Sequence, residues 1–211
     1  MKRIVILISG RGSNMAALLR ANLPAQVVAV LSNEPGAAGL KIAAAHAVRT
    51  EIVSHAHFRE REDFDTALGD AVARCEPDLI VLAGFMRILG DPFLERFPGR
   101  LLNIHPSLLP AFPGTHTHRR ALEEGVKIHG CTVHFVTSKV DHGPIVIQAA
   151  VPVRAQDTEA TLAARVLEQE HIILPQAVRW FVDGRLQLRG EKVLLNGALP
   201  ATAALISPAA S

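Results

Sequence analysis

The chain has 211 residues, 49% hydrophobic and 20% charged, which is enough apolar material for one domain with a full core. A formal charge of +2, no Lys/Arg run beyond pairs and 4% aromatics argue against a nucleic-acid partner, and no stretch approaches the ~20 apolar residues of a membrane span. Cys75 and Cys131 lack partners at metal-ligand spacing, so a reduced, cytoplasmic protein is the simpler expectation.

Lys2-Arg3 before Ile4–Ile8 imitates the start of a signal peptide, but the apolar stretch is short and runs directly into Ser9-Gly10-Arg11-Gly12. Short β-rich runs then alternate with helical stretches, the pattern of βαβ units and a parallel sheet. The strands are expected at Ile4–Ser9, Gln26–Ser32, Thr50–Val53, Leu79–Ala83 and Leu101–His105. Helices are expected at Ser13–Asn22, Gly39–His46 and Arg59–Cys75, the last stopped by Pro77. The runs around Ile4 and Leu79 are apolar without alternation, as in strands covered on both faces. Asp91-Pro92 signals a helix entry, with Asp as cap and Pro at the first position.

Longer strands follow at Ile128–Val136 and Ile145–Val153, flanking a loop over Thr137–Pro144. From Asp157 or Thr158 to about Phe181, Leu162, Val166, Leu167, Ile173, Leu174 and Val178 form a stripe at helical spacing. Pro175 predicts a kink or break near His171. Gly184 and Gly190 punctuate two short runs, Arg185–Leu188 and Lys192–Leu195, that suit a hairpin. The Ala/Pro/Ser-rich tail, 198–211, is expected to be flexible, which leaves 1–197 as a single domain.

Two segments carry chemistry. In Ser9–Asn14, glycines permit a tight turn, and free N–H groups at a helix start attract anions. The third glycine of a G-x-G-x-x-G dinucleotide fingerprint falls on Met15, although Glu34 stands about 20 residues on, as such a fingerprint requires. The loop therefore suits a single phosphate better than a pyrophosphate, and a turn capped by Ser13 is the alternative.

The second segment is Leu102–Pro110. Residues two apart in a strand share a face, so Asn103 and His105 project together, and Pro106 ends the strand. An amide can stabilise charge developing on a carbonyl oxygen, and an imidazole can move protons. Taken alone, an Asn and a His can equally well close a strand with hydrogen bonds. His116-x-His118 suggests a metal, but no third ligand stands at convincing spacing, so no metal is expected.

Six blocks together resemble the glycinamide ribonucleotide formyltransferases of the folate-dependent formyltransferase family. They are Ile8–Asn14, Leu82–Leu89, Leu101–Pro110, Pro113–His118, Val140–Pro144 and Gln169–His171, in the family's order. The resemblance implies an α/β fold with a doubly wound, mostly parallel, Rossmann-like sheet and helices on both faces. It also implies formyl transfer from 10-formyltetrahydrofolate to the primary amine of glycinamide ribonucleotide in purine synthesis, with small-molecule partners and a monomer or homodimer.

Carried over by motif, Asn103, His105 and Asp141 form the catalytic set. Gly12, Ser13 and Asn14 would hold the ribonucleotide phosphate, and Glu170 the glycinamide or ribose end. Arg61, Met86, Arg87, Ile88, Leu89 and Asn103 would meet the folate, and Val140 and Asp141 its pterin. Asp141 would pair with His105 and favour its cation. His142 departs from the small residue common in the family. Without the resemblance, Asp141 reads as a turn former, Glu170 as helix surface, and Met86, Ile88 and Leu89 as core.

Three alternatives remain. One is a formyltransferase with another acceptor, such as methionyl-tRNA or a sugar nucleotide. The others are a nucleotide-binding Rossmann-type module using Gly10–Asn14 and Glu34, and a bare scaffold.

Overall fold

A computed structural model describes residues 1–197; the expected tail, 198–211, lies outside the described residues. The chain divides into two compact units, Met1–Asn103 with Phe135–Ser138, and Ile104–His134 with the chain from Lys139 onward.

The first unit contains β1 (Lys2–Ile8), α1 (Ser13–Arg20), β2 (Ala25–Ser32), α2 (Ala38–Ala45) and β3 (Thr50–Ile52). It continues with α3 (Arg61–Ala73), β4 (Leu79–Leu82), α4 (Asp91–Arg96) and β5 (Leu101–His105), whose last two residues belong to the second unit. The strands run in the order β3-β2-β1-β4-β5 and every pair is parallel. The chain thus winds outward from β1 to β3 and returns at β4. Ligands of open α/β sheets bind at the carboxyl ends of the strands where the order reverses, here the loops after β1 and β4.

Strand periodicity divides the core into two layers. Val5, Leu7, Ala29, Leu31, Ile80 and Leu82 pack with Phe64 and Leu68 of α3 and Phe93 and Phe97 of α4. The alternate residues, Ile4, Ile6, Ile8, Val30, Leu79 and Val81, are buried on the opposite face. There α2 approaches so closely that a Cβ on Gly39 would lie 2.6 Å from Ile8 Cδ1. Each fully buried aliphatic or aromatic side chain contributes about 1.5–3 kcal/mol of transfer free energy, which makes these two layers the main source of the unit's stability.

The second unit contains α5 (Thr117–Glu123), β6 (Ile128–Phe135), β7 (Ile145–Pro152), α6 (Glu159–Val182), β8 (Leu186–Arg189) and β9 (Lys192–Leu195). β6 and β7 pair antiparallel, and β8 and β9 form the expected hairpin. The fold is α/β with a mostly parallel sheet, as expected.

Several local expectations differ: α3, expected over Arg59–Cys75, spans Arg61–Ala73. No break occurs at Pro175: α6 runs unbroken through it for 24 residues. Its buried stripe, Leu162, Val166, Glu170, Ile173, Leu174, Ala177 and Val178, continues across the proline, and the packing outweighs a cost of about 3 kcal/mol. α4 is capped by Gly90 rather than Asp91, so Pro92 stands at the second helical position, one later than expected. α1 stops at Arg20, two residues early, and Asn22 takes a left-handed φ of 45°. Asn tolerates that conformation better than most residues.

Candidate active site

The loop after β1 is shaped by glycines. Gly12 sits at the N-cap of α1 with φ 76° and ψ 22°, and no side chain caps the helix. The alternative of a turn capped by Ser13 is therefore not what the chain adopts. A Cβ at Gly12 would lie 2.6 Å from Gly39 Cα, so this position needs glycine for both its φ and its space. Met15 is fully buried beneath the loop, with its Cε near the same point. The amides of the first helical turn have no partner within the helix, and Ser13 and Asn14 open that turn. Glu34 instead engages neighbours: its Oε1 is 3.3 Å from Asn33 Nδ2 and 3.4 Å from His55 Nδ1.

The loop after β4 lies beside the first. Met86 N–H donates to Ser9 Oγ at 2.8 Å, and Gly90 N–H donates to Asp65 Oδ2 at 2.7 Å. Of the apolar residues between these anchors only Leu89 is core, whereas Met86 is 75% exposed and Ile88 56% exposed. Met86 and Ile88 are therefore not core, unlike the reading of them from residue type alone. Arg87 lies over the Phe64 ring, 5.8 Å from its centroid. Arg61 Nε is 3.6 Å from Asp65 Oδ2. Asp65 is buried, and burial raises its pKa above the usual carboxylate value, opposed by the Gly90 N–H and the charges of Arg61 and Arg87.

In the second unit, His105 and Asp141 come together from distant parts of the sequence: His105 Nδ1 is 3.5 Å from Asp141 Oδ1. His105 Nε2 lies 3.0 Å from Phe112 O, and because a carbonyl only accepts, that nitrogen carries a proton. The second nitrogen faces a carboxylate, which also only accepts, so both contacts are hydrogen bonds only when the ring carries two protons. Asp141 Oδ2 accepts from Gly114 N–H at 2.8 Å. Asp141 holds a left-handed φ of 52°, a conformation uncommon for non-glycine residues and concentrated at functional sites. It stands in a turn, as its neighbours Gly143-Pro144 suggest, and its carboxylate also meets His105. Asn103 is the alternate residue of β5, paired in register with Leu82.

His134 was missed by sequence reasoning. It is 2% exposed, and its Nε2 is 3.8 Å from Asp141 Oδ1. Strand alternation puts it on the face of β6 that Thr132 shares, which by itself does not announce the carboxylate. Thr132 Oγ1 donates to Ser107 O at 2.7 Å and accepts from Leu109 N–H at 3.1 Å, so that face of β6 meets the segment after His105.

Glu170 is 7% exposed on the inner stripe of α6, which overturns its reading as helix surface. Its charge adds to burial in pushing the Cys131 thiol up to about 12. Val140 is exposed, and its carbonyl lies 2.9 Å from His142 Nδ1. His142 and Asp141 line a cavity of about 390 Å³ with Leu109, Ile145 and the hairpin residues Lys192 and Val193. His118 and His129 pair with each other, Nδ1 to Nε2 at 3.2 Å. One of those nitrogens must be a bare acceptor. Burial lowers the His118 pKa and takes that of His129 down to about 4. Among the described residues no group of three or more His, Cys, Asp or Glu could hold a metal ion, and no helix is long and apolar enough to cross a membrane.

Residues 2–178 match the family model described as formyl transferase. The chain belongs to that family. The phosphoribosylglycinamide formyltransferase of Escherichia coli (strain K12) is 48% identical over 198 residues, 92% of this chain and 93% of the relative. The human trifunctional purine biosynthetic protein adenosine-3 is 45% identical over 190 residues, 88% of this chain but 19% of that longer protein. Among solved structures, glycinamide ribonucleotide transformylase 1 from Symbiobacterium toebii superposes with a TM-score of 0.90 at 47% identity, covering 92% of this chain and 94% of that one.

Proposed function

We propose that this formyltransferase moves the formyl group of 10-formyltetrahydrofolate onto the primary amine of glycinamide ribonucleotide in purine synthesis, as a cytoplasmic enzyme whose residues 1–197 act as one domain. The observation that carries the residue assignment is the meeting of His105 and Asp141 at 3.5 Å in a chain of this family. The amine nitrogen attacks the formyl carbon, and the carbonyl electrons move onto oxygen. The nitrogen then loses a proton, the bond to the folate nitrogen breaks, and that folate nitrogen gains a proton.

In this reading the Asn103 amide and the doubly protonated His105 ring stabilise the oxyanion. Asp141 holds the ring and relays the proton, directly or through a water. A well-placed oxyanion donor is worth roughly 2.7–4 kcal/mol, and acid–base action typically ~10²–10⁴-fold. Gly12, Ser13 and Asn14 receive the ribonucleotide phosphate on the amides at the start of α1, and Glu170 meets its glycinamide or ribose end. Arg61 and the segment Met86–Leu89 hold the folate, with Val140 and Asp141 against the pterin. His142, in place of the family's small residue, meets the Val140 carbonyl within its own turn.

The test is a direct transfer assay, following release of deformylated folate by absorbance. Turnover should require both glycinamide ribonucleotide and 10-formyltetrahydrofolate. Folate-dependent turnover that ignores the amine, or none in a folded protein that binds folate, would reject this acceptor. Added NAD should leave the melting temperature unchanged, because the loop lacks the third glycine of a dinucleotide site.

A further inference from the structure

Ser9 is the first residue after β1 and belongs to neither substrate-binding set. Its backbone N–H donates to Gly84 O at 3.1 Å, its hydroxyl accepts from Met86 N–H at 2.8 Å, and the same hydroxyl donates to Asn33 Oδ1 at 2.6 Å. One hydroxyl can do both, since it carries one donor and two acceptor sites. Asn33 is 1% exposed and its Nδ2 continues to His55 Nδ1 at 3.2 Å, so the group receiving the Ser9 proton is itself held. The residue after Ser9 opens the phosphate loop, and Gly10 O accepts from Gly39 N–H at 3.0 Å.

Ser9 therefore stands where the strand order reverses, covalently continuous with one loop and hydrogen-bonded twice to the other. The loop after β4 is anchored by the buried side chains of Phe85 and Leu89 and by two backbone pins, while Met86 and Ile88 between them stay exposed. At one end the pins are Ser9, and at the other the Asp65 carboxylate. Displacement of the phosphate loop pulls on Met86 through Ser9, and fixing either loop fixes the other. We propose that Ser9 is a positioning residue that couples ribonucleotide binding to folate binding. This deepens the formyl-transfer reading and rests on its placement of phosphate at Gly12–Asn14 and folate at Met86–Leu89.

The experiment is calorimetric titration with tetrahydrofolate, which carries no formyl group and so cannot turn over. It is run with and without saturating glycinamide ribonucleotide on the wild type, Ser9→Ala and Ser9→Thr. In the wild type the ribonucleotide should tighten tetrahydrofolate roughly fivefold or more, and by linkage the reverse titration should give the same factor. In Ser9→Ala the factor should fall to within about twofold of one, and Ser9→Thr, which keeps the hydroxyl, should restore it. A merely structural serine would lower the melting temperature or both affinities while leaving the factor intact, and that result overturns the proposal. A wild-type protein without coupling overturns it as well. Absence of tetrahydrofolate binding to the wild type would remove the formyl-transfer reading along with it, whereas the other outcomes leave that reading standing.

Discussion

The loop after β1 and the surroundings of His105 hold charge by different means. The first offers backbone: Gly12 at φ 76°, a close approach to Gly39 that excludes a side chain, and the amides of a helix start. The second offers side chains: two imidazoles, His105 and His134, within 4 Å of one carboxylate, with the His118–His129 pair elsewhere in the same unit. A phosphate keeps its charge throughout the reaction, so a fixed dipole site suffices for it. A formyl carbon becomes an oxyanion and exchanges protons, so groups that change charge are needed. Substitutions should expose this division, with rate lost on the titrating side and affinity or stability on the backbone side.

The largest effect is expected among the side chains around His105. Asn103→Ala and His105→Ala should each reduce turnover by roughly 10²–10⁴-fold with little change in melting temperature or in ribonucleotide affinity. Steady-state kinetics with circular dichroism on the same samples checks both halves. Near-normal turnover in Asn103→Ala would remove the amide from the mechanism.

Gly12→Ala should do the reverse. A left-handed backbone costs a residue with a Cβ about 1–2 kcal/mol, and the collision with Gly39 adds about 1–3 kcal/mol. The variant should lose stability and show a raised ribonucleotide KM, with folate KM and kcat much less changed. Equal damage to kcat would mean that the loop does more than hold phosphate.

The two sides were not equally legible in the sequence. Glycines and prolines report backbone needs directly, so the loop after β1 and the end of β5 could be placed from residue types alone, and β5 was bounded correctly at Leu101–His105. The side-chain cluster is assembled by tertiary structure. Nothing local announces that Asp141 meets His105, that Glu170 lies on the inner stripe of α6, or that His134 faces the same carboxylate. Only the family resemblance reached Asp141 and Glu170, and nothing reached His134. Of the kink or break that Pro175 predicts near His171, the break does not occur, because the local penalty takes no account of the packing of the whole stripe.

The pH dependence of stability sharpens the comparison. His129 stays neutral in the folded protein down to about 4, whereas an unfolded histidine takes a proton near 6.5. Between those values unfolding binds a proton, so stability is full above 6.5 and is lost as the pH falls towards 4. At 1.36 kcal/mol per pKa unit the loss approaches about 3 kcal/mol across that window, with His118 shifted in the same direction. Denaturant midpoints should fall between pH 7 and 5 in the wild type, and the slope should be shallower in His129→Gln. An unchanged slope would place the titrating group elsewhere.

The smallest effect separates stability from chemistry within the second unit. Arg165 makes two 2.7 Å bonds to the Asp157 carboxylate, whose pKa they hold well below the usual range. That contribution is present above the unfolded carboxylate pKa and is lost as the pH falls below it, opposite in origin to the His129 effect and lower in pH. Arg165→Met should cost about 1.5–3 kcal/mol, the worth of hydrogen bonds to a charged group, and should leave kcat and both KM values at wild-type level. If Arg165→Met also slows turnover, α6 transmits strain to the site, because Glu170 lies on the same helix five residues further along. If it does not, ion pairing in this unit supports the fold, and the chemistry rests on the His105–Asp141 contact.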